Sequence, residues 1–406
     1  MRFSVKSFGC KVNQIEIQSI YNDLLESGLL YDEKNYDILI INSCCVTEKA
    51  EKDLIKFIKK ARIQNPDSRI IVTGCMATLF KEKIKNIDYS VEFFTNKNKS
   101  EIVKILTGKD GDSLFGIKDF GEKTRAFVKV QDGCNLFCSY CIVPFARNEM
   151  ISKPFSNVIN EIKNLVLKGY KEMVLSGTRL GAYFYDGKKL SDLLLEISKL
   201  DGDFRIRLSS LEPMEINEKL IDILSNPRRF CSYFHIPLQS ASDSVLKSMK
   251  RPYSIRHFLE KLNLIRKKME NVGVYSDVIV GYPQETEEDF KKTIRFVEEN
   301  KLSGLHVFTY SKRPLTEAYN LEDINLNLKK ERSEIMHEID KKLRKDFITS
   351  MIGKDLDSIA IKQKNNYTLA LTTNFIEVKL KEKIPKNERF NVRIADFVNG
   401  IAYGEI

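Results

Sequence analysis

The sequence predicts an α/β protein in three parts: an N-terminal open parallel α/β domain, a central partial TIM-type (β/α)6 barrel and a small C-terminal all-β domain. Three observations lead there. Strand-like and helix-like stretches alternate over the first hundred residues, a second βα series starts at Thr124, and beyond residue 350 only short runs of period-two alternation remain. The expected boundaries are 1–115, 120–345 and 346–406, and a chain of 406 residues is long enough for two or three separate cores.

In the first part, residues 2–8 read as a strand, 14–26 as a helix, 37–41 as a buried strand, 48–63 as an amphipathic helix and 69–73 as a third strand. Such alternation implies a parallel sheet with helices on its faces. The tract Gly108-Lys109-Asp110-Gly111-Asp112, continued as far as Lys123, reads as a linker. Barrel strands are expected at 126–131, 172–175, 205–208, 233–236, 274–280 and 305–309, with helices over 156–168, 255–269 and 287–299. A charged helix over 328–349 leads into the tail, where 358–361, 375–380 and 390–394 alternate apolar and polar residues.

Net charge is +10, from 66 basic and 56 acidic residues, which suits contacts to several backbone phosphates of a nucleic acid. The first eight residues hold no apolar run of export-signal length, and Ile38-Leu39-Ile40-Ile41 is only strand-length. No membrane span is expected. Eight cysteines in such a chain point to a reducing cytoplasm rather than a disulfide scaffold.

Three of them, Cys134, Cys138 and Cys141, form a C-x3-C-x2-C run just after the first barrel strand. Three thiolates hold three irons of a 4Fe–4S cluster and leave the fourth open to a small molecule. A structural zinc site closes with a fourth ligand, usually from a second C-x2-C pair, and none follows. Cys10, Cys44 and Cys75 each follow a strand of the first part. Strand ends of an open parallel sheet converge on the ligand crevice, so a second cluster with an open iron is expected there. Cys45 competes with Cys44, and periodicity does not separate neighbours. Cys231 falls outside both sets and reads as a core residue.

The first run, with Tyr140 before its last cysteine, resembles the signature of radical S-adenosylmethionine enzymes. Gly9-Cys10-Lys11-Val12-Asn13-Gln14, Asn42-Ser43-Cys44 and Thr73-Gly74-Cys75 resemble the ligand motifs of the methylthiotransferase branch, which favours Cys44 over Cys45. Arg207-Leu208-Ser209-Ser210-Leu211-Glu212-Pro213, His235-Ile236-Pro237-Leu238-Gln239-Ser240, Asp277-Val278-Ile279-Val280-Gly281 and His306-Val307-Phe308-Thr309-Tyr310-Ser311 extend the likeness along the whole chain. Four residues, Ala241, Gln284, Asn148 and Leu315, stand where the family usually carries Gly.

The resemblance implies two 4Fe–4S clusters and S-adenosylmethionine as cofactors. One S-adenosylmethionine would methylate sulfur at the Cys10/Cys44/Cys75 cluster. Another, cleaved at the Cys134/Cys138/Cys141 cluster, would yield the radical that removes hydrogen from C2 of threonylcarbamoyladenosine beside the anticodon. The partners implied are tRNA, bound in part by the C-terminal β-domain, and a reductase or flavodoxin-type electron donor. Sister activities on isopentenyladenosine or on a ribosomal-protein aspartate are alternatives within the family. A non-catalytic iron–sulfur RNA-binding or redox-sensing protein is the alternative outside it.

Individual side chains carry further expectations. Tyr140 is expected against the adenine of the cofactor, and Ser176 and Gly177 against its amino group. Glu212 binds polar groups of the cofactor or caps a helix. Gln239 and Ser240 end a strand and are read as further cofactor contacts. His235 reads as a satisfied core histidine. Arg147 and Arg313 are read either as contacts to phosphate or carboxylate or as ordinary surface arginines.

Overall fold

Strands of the first hundred residues pair only in parallel in the computed structural model, which describes residues 1–121, 123–364 and 366–406. They are β1 (Arg2–Ser7), β2 (Leu30–Tyr31), β3 (Ile38–Ser43), β4 (Arg69–Gly74) and β5 (Glu92–Phe94), in the order β2-β1-β3-β4-β5. The very short β2 and β5 escape a reading that needs several residues to see a period. Helices α1 (Lys11–Glu26), α2 (Glu48–Gln64) and α3 (Cys75–Leu79) follow β1, β3 and β4. Helix α1 starts three residues before the expected 14, because extended Cys10 is its N-cap while polar Lys11, Asn13 and Gln14 mask the apolar period. Register aligns Ser7 with Asn42 and Ser43 with Gly74, so the three strands end side by side.

Six further parallel strands curl into a half-barrel in chain order: β6 (Arg125–Asp132), β8 (Glu172–Gly177), β9 (Arg205–Leu208), β10 (Tyr233–His235), β11 (Gly273–Val280) and β12 (Gly304–Thr309). An Ile206–Phe230 bridge joins the halves, and the short antiparallel β7 (Ile151–Ser152) extends the β6 edge. Period-two alternation sorts the side chains. Val128, Val130, Met173, Leu175, Ile206, Leu208, Val274 and Val278 point outward into one core with helices α4 (Phe155–Leu167), α5 (Ile255–Lys268), α6 (Glu287–Glu299) and α7 (Leu326–Thr349). The inner face is polar: Arg125, Glu172, Arg205, Arg207, Tyr233, His235, Tyr275, Asp277 and His306.

The C-terminal strands β13 (Asp355–Lys364), β14 (Tyr367–Thr372), β15 (Glu377–Leu380), β16 (Arg389–Val398) and β17 (Ile401–Glu405) close a barrel in the order β13-β14-β15-β17-β16. Its β14–β15 turn plugs the lower end of the half-barrel. Arg205 Nη2 donates to Leu371 O at 2.8 Å, Arg207 donates to Thr372 O and Thr373 O at 2.9 Å each, and Phe375 packs on Tyr233. Both arginines also bind buried Glu172, at 2.8 and 2.9 Å. No helix among the described residues is long and apolar enough to cross a membrane.

Burial alone would raise the Glu172 carboxyl, but Arg207 and Arg205 overcome it and hold it far below the usual range. Glu172→Gln leaves the buried Arg207 guanidinium without its counter-ion and Arg205 with Asp357 alone, 3.2 Å away. The expected loss is about 3–5 kcal/mol, read by denaturant or thermal unfolding. Because the folded carboxyl titrates below its unfolded value, this stability is present at neutral pH. It fades in the wild type as pH falls below about 4.3 and is missing from the variant throughout.

Candidate paired cysteine sites at the barrel mouth

The loop after β6 is bent at Gly133, whose φ is +84° and whose added Cβ would lie 1.9 Å from Glu149 O. Only glycine fits there. Gln131 Nε2 ties the turn down through the carbonyls of Asp132 and Gly133 at 2.6 and 2.8 Å, and Cys134 N donates to Arg147 O at 3.1 Å. Ser139 crosses the mouth: its N donates to Met249 O and its Oγ to Ser248 O, while Ala318 N donates to Ser139 O. Cys134, Cys138 and Cys141 are thus held from both edges of the half-barrel. Burial, then neighbouring Cys138, pushes the Cys141 thiol up to about 12, and burial also raises Cys134. Arg251 Nη1 lies 3.3 Å from Cys138 Sγ and its guanidinium pairs with Glu212.

The second set sits at the ends of β1, β3 and β4. Cys10 caps α1, Cys44 follows β3 with Val46 N donating to its Sγ at 3.5 Å, and Cys75 opens α3 with Asn96 Nδ2 at 3.8 Å from its Sγ. Gly9 is required by contact, since a Cβ there would lie 2.7 Å from Cys44 Sγ. Burial raises the Cys10 thiol and pushes Cys44 to about 12. Cys45 turns into the core with Leu54, Ile58 and Met76, and Cys231 is buried 4.0 Å from Glu172 Oε2.

Glu16, fully buried on α1, joins the two sets. It accepts from Arg147 Nη1 and Nη2 at 2.8 and 2.9 Å, Lys129 Nζ at 2.8 Å, Lys99 Nζ at 2.6 Å and Asn42 Nδ2 at 3.1 Å. Arg147 also reaches Asp132 at 2.7 Å and Asn13 Oδ1 at 2.8 Å. Arg147 and Arg313, read from the sequence as phosphate contacts or surface residues, are therefore structural. Arg313 is buried and donates to Glu51 Oε2 on α2 at 2.6 Å.

Among the described residues, His235, Asp277 and His306 bring three ligand atoms within 4.8 Å of one another, inside the half-barrel and apart from both cysteine sets. A single tetrahedral zinc at about 2.3 Å would hold its sulfurs about 3.8 Å apart. A structural zinc also closes with four protein ligands, whereas each set offers three thiols, the donor count of a cluster with one open iron. Buried thiols with raised pKa ionise against a strong cationic centre, which the irons of a cluster provide. The donor sets therefore fit two clusters, each with three protein ligands.

The other expected contacts divide. Tyr140 packs half-buried with Val245, Tyr282 and Tyr310 beside the first set. Of the two roles expected of Glu212, the cap is present, at the start of a 3-10 turn, and its carboxylate pairs with Arg251. Gly177 ends β8, and Thr178 Oγ1 donates to Asp132 Oδ1 at 2.9 Å. Gln239 adopts a left-handed φ of 63° where the chain leaves β10. Ser176 and Ser240 are buried, and the Ser240 hydroxyl lies 3.4 Å from Thr293 Oγ1 on α6, away from the mouth. His235 is bonded, as expected, through Nε2 to Asp277 Oδ1 at 2.7 Å, and His306 Nδ1 lies 3.3 Å from the same oxygen. Arg251, Arg179 and Glu215 give no signal in the sequence, because no fixed spacing links them to a cysteine. Arg179 donates to Glu215 at 2.6 Å and to Asn135 in the cysteine loop at 2.8 Å.

Comparisons with known proteins agree with this geometry. The radical SAM superfamily pattern matches residues 128–297, so the half-barrel and its cysteine loop are those of a radical S-adenosylmethionine enzyme. The pattern described as uncharacterized protein family UPF0004 matches residues 2–96. Threonylcarbamoyladenosine tRNA methylthiotransferase MtaB of Aquifex aeolicus is 33% identical over 402 residues, covering 93% of this chain and 96% of the relative. MtaB of Bacillus subtilis is 35% identical, covering 92% and 89%. The tRNA-2-methylthio-N(6)-dimethylallyladenosine synthase of Endomicrobium trichonymphae is 30% identical over both full chains. The chain belongs to the methylthiotransferase family of radical S-adenosylmethionine enzymes. In fold alone it resembles the radical S-adenosylmethionine methyltransferase TsrM from Kitasatospora setae, at a TM-score of 0.54 and 12% identity, covering 78% of this chain and 76% of that one.

The Gly133 turn makes a sharp test. Gly133→Ala pushes Glu149 away and opens the Cys134 loop, so reconstituted protein is expected to lose about half its iron, the share that one of two clusters, the one on that set, would hold. Iron per chain and alkylation of Cys134, followed by mass spectrometry, read the effect. A variant with full iron and an unreactive Cys134 contradicts it.

Proposed function

We propose that this chain is a tRNA methylthiotransferase that converts N6-threonylcarbamoyladenosine beside the anticodon to its 2-methylthio derivative. The observation that carries the reading is the pair of three-cysteine sets joined by one buried ion network, in a chain similar over more than nine-tenths of its length to MtaB of Aquifex aeolicus. Residues 1–115 form the unit with the auxiliary set, 120–345 the radical barrel and 346–406 the RNA-binding part. The protein acts in the cytoplasm and takes its electrons from a reductase or flavodoxin-type donor.

Cys134, Cys138 and Cys141 hold one cluster, and Cys10, Cys44 and Cys75 the other. When bound, the clusters and S-adenosylmethionine supply the radical and the methylated sulfur. The protein's own work is placement. Arg251 lies against Cys138 Sγ and offsets negative charge there, while Glu212 fixes its guanidinium. Tyr140 and Gly177 flank the space for the cofactor's adenine and amino group. The N-terminal unit bridges both edges of the half-barrel, through Lys129 on β6 and through Ser311 and Arg313 beyond β12, and so shields the lumen from water. In the C-terminal barrel, Lys379 lies over Tyr367 at 4.5 Å and Tyr403 at 5.8 Å, a basic and aromatic stripe suited to RNA.

Mass spectrometry of tRNA nucleosides from a deletion strain tests the substrate. Loss of the 2-methylthio form, with threonylcarbamoyladenosine accumulating, is expected. Loss of the methylthio form of isopentenyladenosine instead would assign the sister activity. Reconstituted protein should carry roughly eight irons per chain, and Cys10→Ala should remove about half of them yet still release 5′-deoxyadenosine.

A further inference from the structure

Among the described residues, Lys11 is a cation of the barrel lumen whose ammonium has no protein partner. Lys11 opens α1, directly after Cys10, and its side chain enters the lumen, where the charges acting on it are Arg125, Arg207, Asp277 and Glu172. Lys11 keeps solvent-accessible surface although protein surrounds its ammonium, which is the signature of a cavity wall and not of an outer face.

The anions near it are already committed. Glu172 binds Arg205 and Arg207, and Asp277 Oδ1 meets His235 and His306. Among the described residues the Lys11 side chain makes no hydrogen bond or ion pair, whereas each of the four charges around it has a partner. Counting these five groups, three positive charges face two negative ones. A solvated cation in a concave polar lumen, with no protein carboxylate committed to it, is a ready partner for an anion that enters from outside the protein.

Resting on the functional reading above, we propose that Lys11 binds the threonyl carboxylate of the substrate nucleoside and selects threonylcarbamoyladenosine over nucleosides with an uncharged N6 side chain. Helix α1 packs against β6 and β8, so Lys11 lies one residue from an auxiliary ligand and inside the half-barrel at once. A nucleoside whose carboxylate is anchored there has its base between the two cysteine sets. An isopentenyl group would leave the surplus charge unmatched.

The test uses the reconstituted full chain and three anticodon stem-loops. One carries threonylcarbamoyladenosine, one its threonine methyl ester, and one isopentenyladenosine. For the wild type, esterification should lower kcat/KM about 10- to 100-fold, the range of a lost charge-assisted hydrogen bond. Lys11→Gln should lower kcat/KM on the acid by a similar factor and weaken its binding to a labelled stem-loop. The same variant should lose the preference for acid over ester, and Lys11→Arg should recover part of it. Iron content and the thermal midpoint serve as the folding controls.

Retention of the acid preference by Lys11→Gln overturns the proposal. Equal losses on acid and ester also overturn it, and point to a backbone phosphate as the anion. A wild type active only on the isopentenyl loop overturns the functional reading and this proposal together, and that result is recognised before any variant is made.

Discussion

The buried carboxylate of Glu16 is the constraint on which the arrangement of this molecule depends. It is fully enclosed, and burial alone would drive its pKa up, yet Arg147, then Lys129 and Lys99, hold it ionised well below the carboxylate range. Such a group stabilises only while all its partners stay in place. Those partners come from distant parts of the chain: Lys99 near the end of the first α/β unit, Lys129 on β6, and Arg147 just past the cysteine loop. The backbone of Arg147 holds Cys134, and its guanidinium holds Asn13, whose own amide binds Phe8 O and Ser43 O beside Cys10 and Cys44. The position of one cysteine set is thereby fixed relative to the other. Within this network the Arg147 guanidinium opposes the burial that raises the Cys10 and Cys44 thiols, without overcoming it.

A half-barrel of six strands has an open side, and a lumen open to water would quench radical chemistry. Here it is covered from two directions. The first α/β unit spans the gap between β6 and β12, using Glu16 at one edge and Glu51 with Arg313 at the other. The C-terminal barrel seals the base, where Arg205 and Arg207 grip three successive carbonyls of its turn. Both closures use ion pairs and main-chain hydrogen bonds rather than apolar surface. The apolar faces of the strands are already spent on the surrounding helices, and the inward residues are polar. The polar lumen is the consequence.

Much of this was legible in the sequence, for a definite reason. Cys10, Cys44 and Cys75 could be placed together because parallel strands end at one edge of a sheet, so a period-two reading of three strands locates three distant residues. The curled half-barrel followed from six strand–helix units in succession after Thr124. Arg147, Glu16 and Arg251 were not legible. A buried arginine and an exposed one have the same local sequence, and only the fold shows that Glu16 on α1 meets Arg147 more than a hundred residues later. Nor does pattern distinguish Ser240, turned toward Thr293, from Gln239, in a left-handed bend beside it. Lys11 stands inside a ligand motif, and only the fold shows which lumen charges surround it.

The four positions where the family usually has glycine show how the chain tolerates side chains around this mouth. Only Leu315 keeps a left-handed backbone, with φ at 71°, a strain of about 1–3 kcal/mol for a residue with a Cβ. Ala241 is buried, and its N–H donates to Thr293 Oγ1 at 3.0 Å, so a methyl group has been packed in without a change of backbone class. Gln284 reaches back to Ser248, a residue whose carbonyl already holds Ser139 of the cysteine loop. Asn148 is exposed beside buried Arg147 and leaves the ion network intact. None of the four touches Glu16, Asp132 or Asn13. Substitution is tolerated at the rim because the distance between the two cysteine sets is set beneath it, by charges that no loop residue replaces.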